Sequence, residues 1–600
     1  MGKSFDNEQG MEIEMEFHHR MSFDQASQAN SSGRWEHGLP LSSDNLGLSK
    51  CFKVTVIAVS VIIMLVVILC FTFVLPRSEK KERSTLEIAS TSGNIGLVCQ
   101  ATRYPDVCFT SLESDSHSSE ANSSDILKIA IHVASTGVTD SLREASQILE
   151  NFRSNVNISA AARDCKEVLS YSLNWLQECM NADVTTNVND IQAWLSAALT
   201  YQNDCNSSLT YVNTTDSINQ AMIQVHSVIP LISNALSMAD AYATYGSDPV
   251  NWKPPASGRE VSSLSSWNWQ IHHERHLSDA LEPSAVVSQD SSGAFNSIQD
   301  AVDKAPDNSR SIYVIHIREG TYHEIIRIPQ CKTRLMFLGD GIGKTIITGD
   351  LSVQQPGINT MDSATIVVSG AEFIAQDLTI QNTAGPEAYQ AVALRVDSDR
   401  SAFHRVAVLG YQDSLYAHTL RQFYRDCLIE GTIDFIFGNS AAIFQNCSIR
   451  VRVGRQGVAD STVTAHGRTD PAQTTGLVFY NCSIDGTAEY NAALAASRSH
   501  YRTWLGRPWK QFSRTIYIET FMGALVDPEG WKPWNGDYAL ATLYYGEFHS
   551  YGPGGNFSFR VGWSLQLTGD EISGFSVQRF IQGTQWLPET NIPFDSHDLD

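Results

Sequence analysis

Residues 403–447 read FHRVAVLGYQDSLYAHTLRQFYRDCLIEGTIDFIFGNSAAIFQNC, and one short unit recurs within and beyond them. Phe403-His-Arg-Val-Ala-Val, Phe423-Tyr-Arg-Asp-Cys-Leu-Ile, Ile443-Phe-Gln-Asn-Cys-Ser-Ile and Val478-Phe-Tyr-Asn-Cys-Ser-Ile look like copies of a single strand. Val406, Cys427, Cys447 and Cys482 hold the equivalent place, at steps of 21, 20 and 35 residues. Short β-rich units at a period of roughly 20 residues mark a solenoid, here a parallel β-helix. Asp413 and Asp434 lie 21 residues apart, so this period sets them one above the other on adjacent coils. Both stand among aromatic and β-branched residues, where an uncompensated carboxylate is costly. A lone aspartate near glycine usually shapes a turn. A pair at one coil spacing, with Gln412 beside it, points to chemistry.

The chain has 600 residues, enough for several domains, with 42% hydrophobic and 18% charged residues, as in ordinary globular proteins. Its net charge of −23 argues against a nucleic-acid partner. Residues 1–53 are polar and aperiodic, a disordered cytoplasmic tail by composition. Val54–Leu75 is an uncharged apolar run of 22 residues, long enough to span a bilayer as a signal-anchor helix. Lys50 and Lys53 precede it while Arg77, Lys80, Lys81 and Arg83 follow, against the positive-inside tendency. The sequons at Asn122, Asn157, Asn206, Asn213 and Asn556 nevertheless favour a lumenal or extracellular body. Asn446 and Asn481 also fit the sequon, within expected strands. Beyond the membrane run, nine cysteines cluster in two regions without a C-x-x-C pair, as in an oxidising compartment and unlike a structural zinc site.

After a charged stalk at 76–92, residues 93–245 change to a helical period. Ile126, Ile129 and Val133, then Ala161, Cys165, Val168 and Leu169, then Ile191, Trp194 and Leu195, and finally Ile218, Met222, Val225 and Ile229 recur at steps of three and four. Four such helices make an up-and-down bundle. Residues 246–282, with Pro249, Pro254 and Pro255, form an aperiodic linker. From 283 to 594 strand-like runs alternate with Gly, Asn and Asp turns, and 595–600 is a tail. The expected fold is therefore multidomain: a right-handed parallel β-helix, preceded by an all-α four-helix bundle and a single N-terminal transmembrane helix.

Two decoys fall away. Gly339-Asp-Gly-Ile-Gly-Lys344-Thr345 suggests a phosphate loop, but Leu338 stands where that motif requires glycine. Neither G-x-S-x-G nor H-E-x-x-H occurs, which argues against a serine or zinc hydrolase.

CQATRYPDVC (Cys99–Cys108), ARDCKEVLSYSLNWL (Ala162–Leu176) and IQAWLSAALTYQNDC (Ile191–Cys205) resemble the plant invertase and pectin methylesterase inhibitor domain. The resemblance implies disulfides Cys99–Cys108 and Cys165–Cys205, with Cys179 free. It also implies an inhibitory contact, with the chain's own catalytic domain or an external one; an inert spacer or an intramolecular chaperone is the alternative. The second half resembles plant pectin methylesterases. Gly320-Thr-Tyr322-His-Glu324, Gln390-Ala-Val-Ala-Leu, Tyr411-Gln-Asp-Ser-Leu-Tyr416, Gly431-Thr-Ile-Asp-Phe-Ile-Phe-Gly438 and Leu505-Gly-Arg-Pro-Trp509-Lys match that family's blocks in order.

The resemblance implies methyl-ester hydrolysis on homogalacturonan without metal or cofactor. Asp434 would be the nucleophile, Asp413 the general acid and then base, and Gln412 and Gln390 oxyanion donors. Physical chemistry supports that set. Adjacent carboxyls push their pKa values apart, and Arg507 offers a bidentate fork that keeps one ionised. Trp509 offers a stacking face, and Thr360 matches a family substrate-binding threonine; Arg507 and Gln390 would touch substrate too. The structural alternatives are a bridge between coils for Arg507 and core packing for Trp509. Among the β-helix cysteines, Cys447–Cys482 or Cys427–Cys447 could bridge adjacent coils, and family precedent favours the first. Ser414, His466 and Ser291 depart from the usual pattern, and the Arg275–Ser278 region is a degenerate form of a pro-type cleavage motif. A lyase would want a basic proton abstractor, and a glycosidase needs carboxyls placed about a glycosidic oxygen. A non-catalytic inhibitor chain would not need Asp413, Asp434 and Arg507, all of which are present.

Overall fold

A computed structural model describes residues 93–113, 121–256, 282–456, 460–497 and 501–596. The expected tail, the apolar run 54–75, the stalk and most of the linker lie outside them. Four long helices, α1 (Ser123–Asn151), α2 (Val156–Asn181), α3 (Val184–Tyr211) and α4 (Asp216–Tyr245), pack as a bundle. Each opens on a side chain that accepts an otherwise orphaned backbone N–H: Asn122, Asn155, Asp183 and Thr215. Two short helices, Gly93–Gln100 and Pro105–Leu112, precede them and are joined by the Cys99–Cys108 disulfide. They are too short for a periodicity to reveal. A second disulfide, Cys165–Cys205, joins α2 to α3, and Cys179 is a buried free thiol.

From Ala285 onward the described strands pair in parallel, in a 17-stranded and a 7-stranded sheet. The smaller sheet carries the site; its strands are β1 (Ile326–Ile328), β2 (Ile366–Val368), β3 (Leu394–Val396), β4 (Leu415–Ala417), β5 (Ile436–Gly438), β6 (Asp460–His466) and β7 (Arg502–Gly506). They stack in chain order, one coil above the next, with Leu394, Leu415 and Ile436 in register. Alternation splits each strand between two environments. Leu415, Ala417 and Ile436 point into the β-helix, while Val367, Tyr416, Phe437 and Ala465 belong to the cluster that contains the bundle core.

Inside the coils an aromatic ladder runs Phe403, Tyr424, Phe444, Phe479, Tyr517, with successive centroids 4.6–4.7 Å apart. Phe403 therefore stacks on Tyr424 rather than on Phe423. The coils turn at left-handed corners, Asn446 (φ 56°) and Asn481 (φ 47°) among them. This corrects the placing of both sequons within strands: they sit at exposed bends between strands. Asparagine favours that conformation because its short side chain bonds locally.

The corner also corrects the expected Cys447–Cys482 disulfide. Cys427, Cys447 and Cys482 are buried free thiols directed into the core. Stacked strands stand about 4.8 Å apart with their Cβ bonds parallel, whereas a disulfide brings Cβ atoms to about 3.8 Å. Instead the thiol of Cys447 faces Tyr424 O and that of Cys482 faces Phe444 O, at 3.5 and 3.4 Å. The Gly339–Thr345 segment is a turn between strands Leu335–Gly339 and Thr345–Gly349.

Candidate active site

Asp413 and Asp434 occupy matching places just ahead of β4 and β5, and the backbone N–H of Asp413 donates to Ile433 O at 3.0 Å. Both adopt left-handed backbone conformations, φ 62° and 49°. This conformation is uncommon outside glycine, and such departures concentrate at functional sites. The paired coils bury both carboxylates, which keep 8% and 6% exposure. Arg507, just after β7, forks onto Asp434: Nε lies 2.9 Å from Oδ1 and Nη2 lies 2.6 Å from Oδ2. Trp534 backs the guanidinium, with its ring centre 4.4 Å away. Burial, and then the charge of Asp434, push the Asp413 pKa well above the carboxylate range; Arg507 opposes this only in part. One carboxyl thus holds a proton beside another that is clamped by a cation. Such a pair can combine nucleophilic attack with proton donation.

Gln390 and Gln412 stand on adjacent coils, joined by a parallel bridge, and the buried Gln390 Oε1 has no hydrogen-bond partner among the described residues. Tyr416 and Phe437 stack at 4.1 Å on the outward face, and Trp509 meets Phe437 edge-on at 6.1 Å. Gly467 permits that approach, since a methyl group there would lie 2.9 Å from the indole. Thr360 is partly exposed. It lies in the loop entering β2, between Asn359, which bonds Asp164 of α2, and Met361, which is in the shared core. His466, the last residue of β6, is buried, and its Nδ1 accepts from Arg514 N at 3.0 Å. Burial and two nearby arginines push its pKa well down. Among the described residues no group of three His, Cys, Asp or Glu side chains converges as metal ligands would.

Sequence reasoning did not anticipate Trp534 or the pairing of Tyr416 with Phe437. The second was findable, because both residues occupy the outward position of short strands. It also missed how the helices sit. They cover that face: Tyr416, Phe437 and Ala465 share one core with Ile191, Leu195 and Tyr201. Tyr201 Oη lies 2.7 Å from Thr419 Oγ1, Trp194 Nε1 donates to Asp399 at 3.0 Å, and Asp190 pairs with Arg421 at 2.7 Å.

Proton-binding groups line this contact at three places. Asp164 of α2 and Asp362 face each other with Glu167 nearby; burial, then these like charges, raises both pKa values, with Arg395 opposing. Asp240 of α4, facing Arg468 and Asp470, is pushed up by burial to about 7. His418 lies between Asp204 of α3 (2.7 Å) and Asp397 (2.5 Å). Burial lowers its pKa, but Asp397 and then Asp204 outweigh that and bring it to about 9.

All these pKa values stand above the solvated ones, so docking takes up protons. The stabilisation is complete in acid and is lost as pH rises through about 7 for Asp240, whereas His418 keeps Asp397 beside it whether or not the helices are docked and only its Asp204 contact depends on them. Hydrogen exchange at β3–β5 should therefore show helix undocking growing from pH 5 to pH 8, by up to about tenfold per pH unit for each linked proton. Asp240→Asn should flatten the dependence near neutrality. Undocking that is independent of pH would contradict this linkage.

The comparisons agree with this architecture. The Pectinesterase family model matches residues 284–584, and the Plant invertase/pectin methylesterase inhibitor model matches 94–238. The chain is 42% identical over 509 residues to the Arabidopsis thaliana "Probable pectinesterase/pectinesterase inhibitor 64", covering 83% of this chain and 85% of that one. It is 40% identical to "Pectinesterase 2" of Citrus sinensis, covering 83% and 94%. Among solved structures, "Pectin methylesterase from Carrot" matches with a TM-score of 0.51 and 45% identity, over 53% of this chain and 99% of that one.

Proposed function

The chain belongs to the pectinesterase family, and from that premise we infer that it hydrolyses the methyl esters of homogalacturonan to carboxylate and methanol. The observation that carries this reading is the Arg507 fork on Asp434 beside a protonated Asp413. The Asp434 carboxylate attacks the ester carbonyl, and the developing oxyanion takes hydrogen bonds from the amides of Gln390 and Gln412. Collapse expels the methoxy group, which leaves as methanol with the proton of Asp413, and an acyl-enzyme anhydride forms. Asp413, now ionised, takes a proton from water. That water attacks the anhydride and releases the galacturonate with Asp434 restored. Tyr416, Phe437 and Trp509 are the stacking face for sugar rings. Thr360 joins the substrate surface from the loop entering β2.

The helices act as an internal inhibitor, because their core lies on Tyr416 and Phe437, where a sugar chain would stack. The run 54–75 anchors the chain in the membrane with the catalytic body on the cell-wall side, as the sequons favour. Extraction from plant membranes by detergent but not by salt is expected; release by a salt wash would contradict anchoring.

The catalytic reading is tested on residues 283–600, since the carrot protein shows a chain of this extent as a complete structure. The segment should release methanol from highly methylated pectin, and Asp434→Asn should lower the rate by at least about a thousandfold. Asp413→Asn should cost about a hundredfold or more. Equal rates with and without Asp434 would remove it from the nucleophile's role. No release from the folded wild-type segment would overturn the esterase reading.

A further inference from the structure

The disulfide-closed segment ahead of the bundle makes its own contact with the catalytic half, apart from the aromatic platform. Arg103 stands at its tip. Nη1 lies 2.6 Å from Oδ2 of Asp470 and donates to Thr469 O at 3.1 Å. The guanidinium also faces the Phe512 ring, 5.2 Å from its centre. These partners come from the two loops that follow β6 and β7, residues 467–475 and 507–513. The N–H of Phe512 donates to Arg468 O at 3.0 Å and ties the loops together. They form a slot with a carboxylate at one side and an aromatic ring at the other, and Arg103 fills it.

The segment holds its arginine in place from the helical side. The Cys99–Cys108 bond closes it, and Asn234 of α4 grips its tip in both directions, accepting from Tyr104 N and donating to Tyr104 O, each at 2.9 Å. Arg103 therefore reaches the slot at little cost in chain freedom. On the other side, the Asp470 side chain keeps only 1% exposure. Its Oδ1 accepts from Ala472 N at 2.9 Å, and its Oδ2 accepts from Ser233 Oγ of α4 at 2.6 Å as well as from Arg103. A carboxylate so deeply placed needs a cation close by, and removing one member of such a pair costs far more than an exposed ion pair is worth. Gln473 of the same loop donates to Ser196 O and Thr200 Oγ1 of α3 at 3.0 and 3.1 Å. Those are neutral contacts; the charge pair carries the discrimination between partners.

We propose that the disulfide-closed segment is a recognition element: Arg103 selects the domain that the helices hold, one whose loop after β6 presents a carboxylate at the place of Asp470 beside an aromatic ring. The proposal rests on the reading of the helices as an internal inhibitor and deepens it, because it names the contact that decides the partner. The platform offers stacking to any flat ring, whereas the slot is matched to a planar cation. A catalytic domain of the same shape without that carboxylate is held loosely.

The test is a double-mutant cycle on the full chain, read by hydrogen exchange at β3–β5, which the docked helices cover. Arg103→Gln should raise the open fraction at least about tenfold, and Asp470→Asn should do the same. Arg103→Lys, which keeps the charge without the planar fork, should fall between. With Asp470→Asn already in place, Arg103→Gln should add less than about twofold. Unchanged exchange within α1 and α2 shows that the bundle stays folded in each variant. An open fraction that Arg103→Gln leaves unchanged, or raises equally with and without the Asp470 carboxylate, overturns the proposal. Exchange does not depend on catalysis, so the two readings fail separately: opening without a rise in methanol release would refute the inhibitor reading and leave the recognition contact standing.

Discussion

Tyr416 and Phe437 stack on the outward face of β4 and β5, and that apolar surface can be covered by sugar rings or by helices, not by both at once. Everything around it follows from that competition. The coil period aligns the strands so that outward residues form a continuous platform, and the same period sets Asp413 against Asp434 at its edge. An exposed apolar platform invites a partner, and the chain carries one. Tyr201, Trp194 and Asp204 of α3 fit between the loops that leave the sheet, with each polar group matched to Thr419, Asp399 or His418.

The contact is polar as well as apolar. A wholly hydrophobic seam would respond weakly to conditions. Here Asp164 faces Asp362, and Asp240 is held protonated to about pH 7 by burial. Buried carboxyls of this kind are stable only with their protons, so proton concentration enters the docking equilibrium directly. The catalytic pair uses the same physics for another purpose. Burial and the charge of Asp434 hold the Asp413 pKa well up, and in the proposed mechanism its proton leaves with methanol. Within one chain, desolvation raises carboxyl pKa values both at the helix contact and at the catalytic pair.

Much of this was legible in the residues, because it depended on period. Cys427, Cys447 and Cys482 at equivalent places disclosed the coil, and the coil predicted that Asp413 and Asp434 would be neighbours. The three- and four-residue steps from Ile126 to Ile229 disclosed the bundle. Properties set by local backbone direction stayed hidden. The left-handed corners at Asn446 and Asn481 turn what reads as one strand into two, and they aim the cysteines inward in parallel, so no disulfide forms between Cys447 and Cys482. Contacts between distant elements were also out of reach. Nothing near Trp534 signals that it backs Arg507, and nothing in α3 signals that Asp204 completes a pair of carboxylates around His418.

The central claim is that the helices and the substrate compete for one face. The most direct measurement is methanol release by the full chain before and after cleavage at a protease site inserted between residues 257 and 281, with the freed helical segment then removed. Slow release is expected from the intact chain, with a rise of at least about tenfold after the helices depart, reversed when the purified segment is added back. Equal rates from the intact chain and from the separated catalytic segment would contradict it.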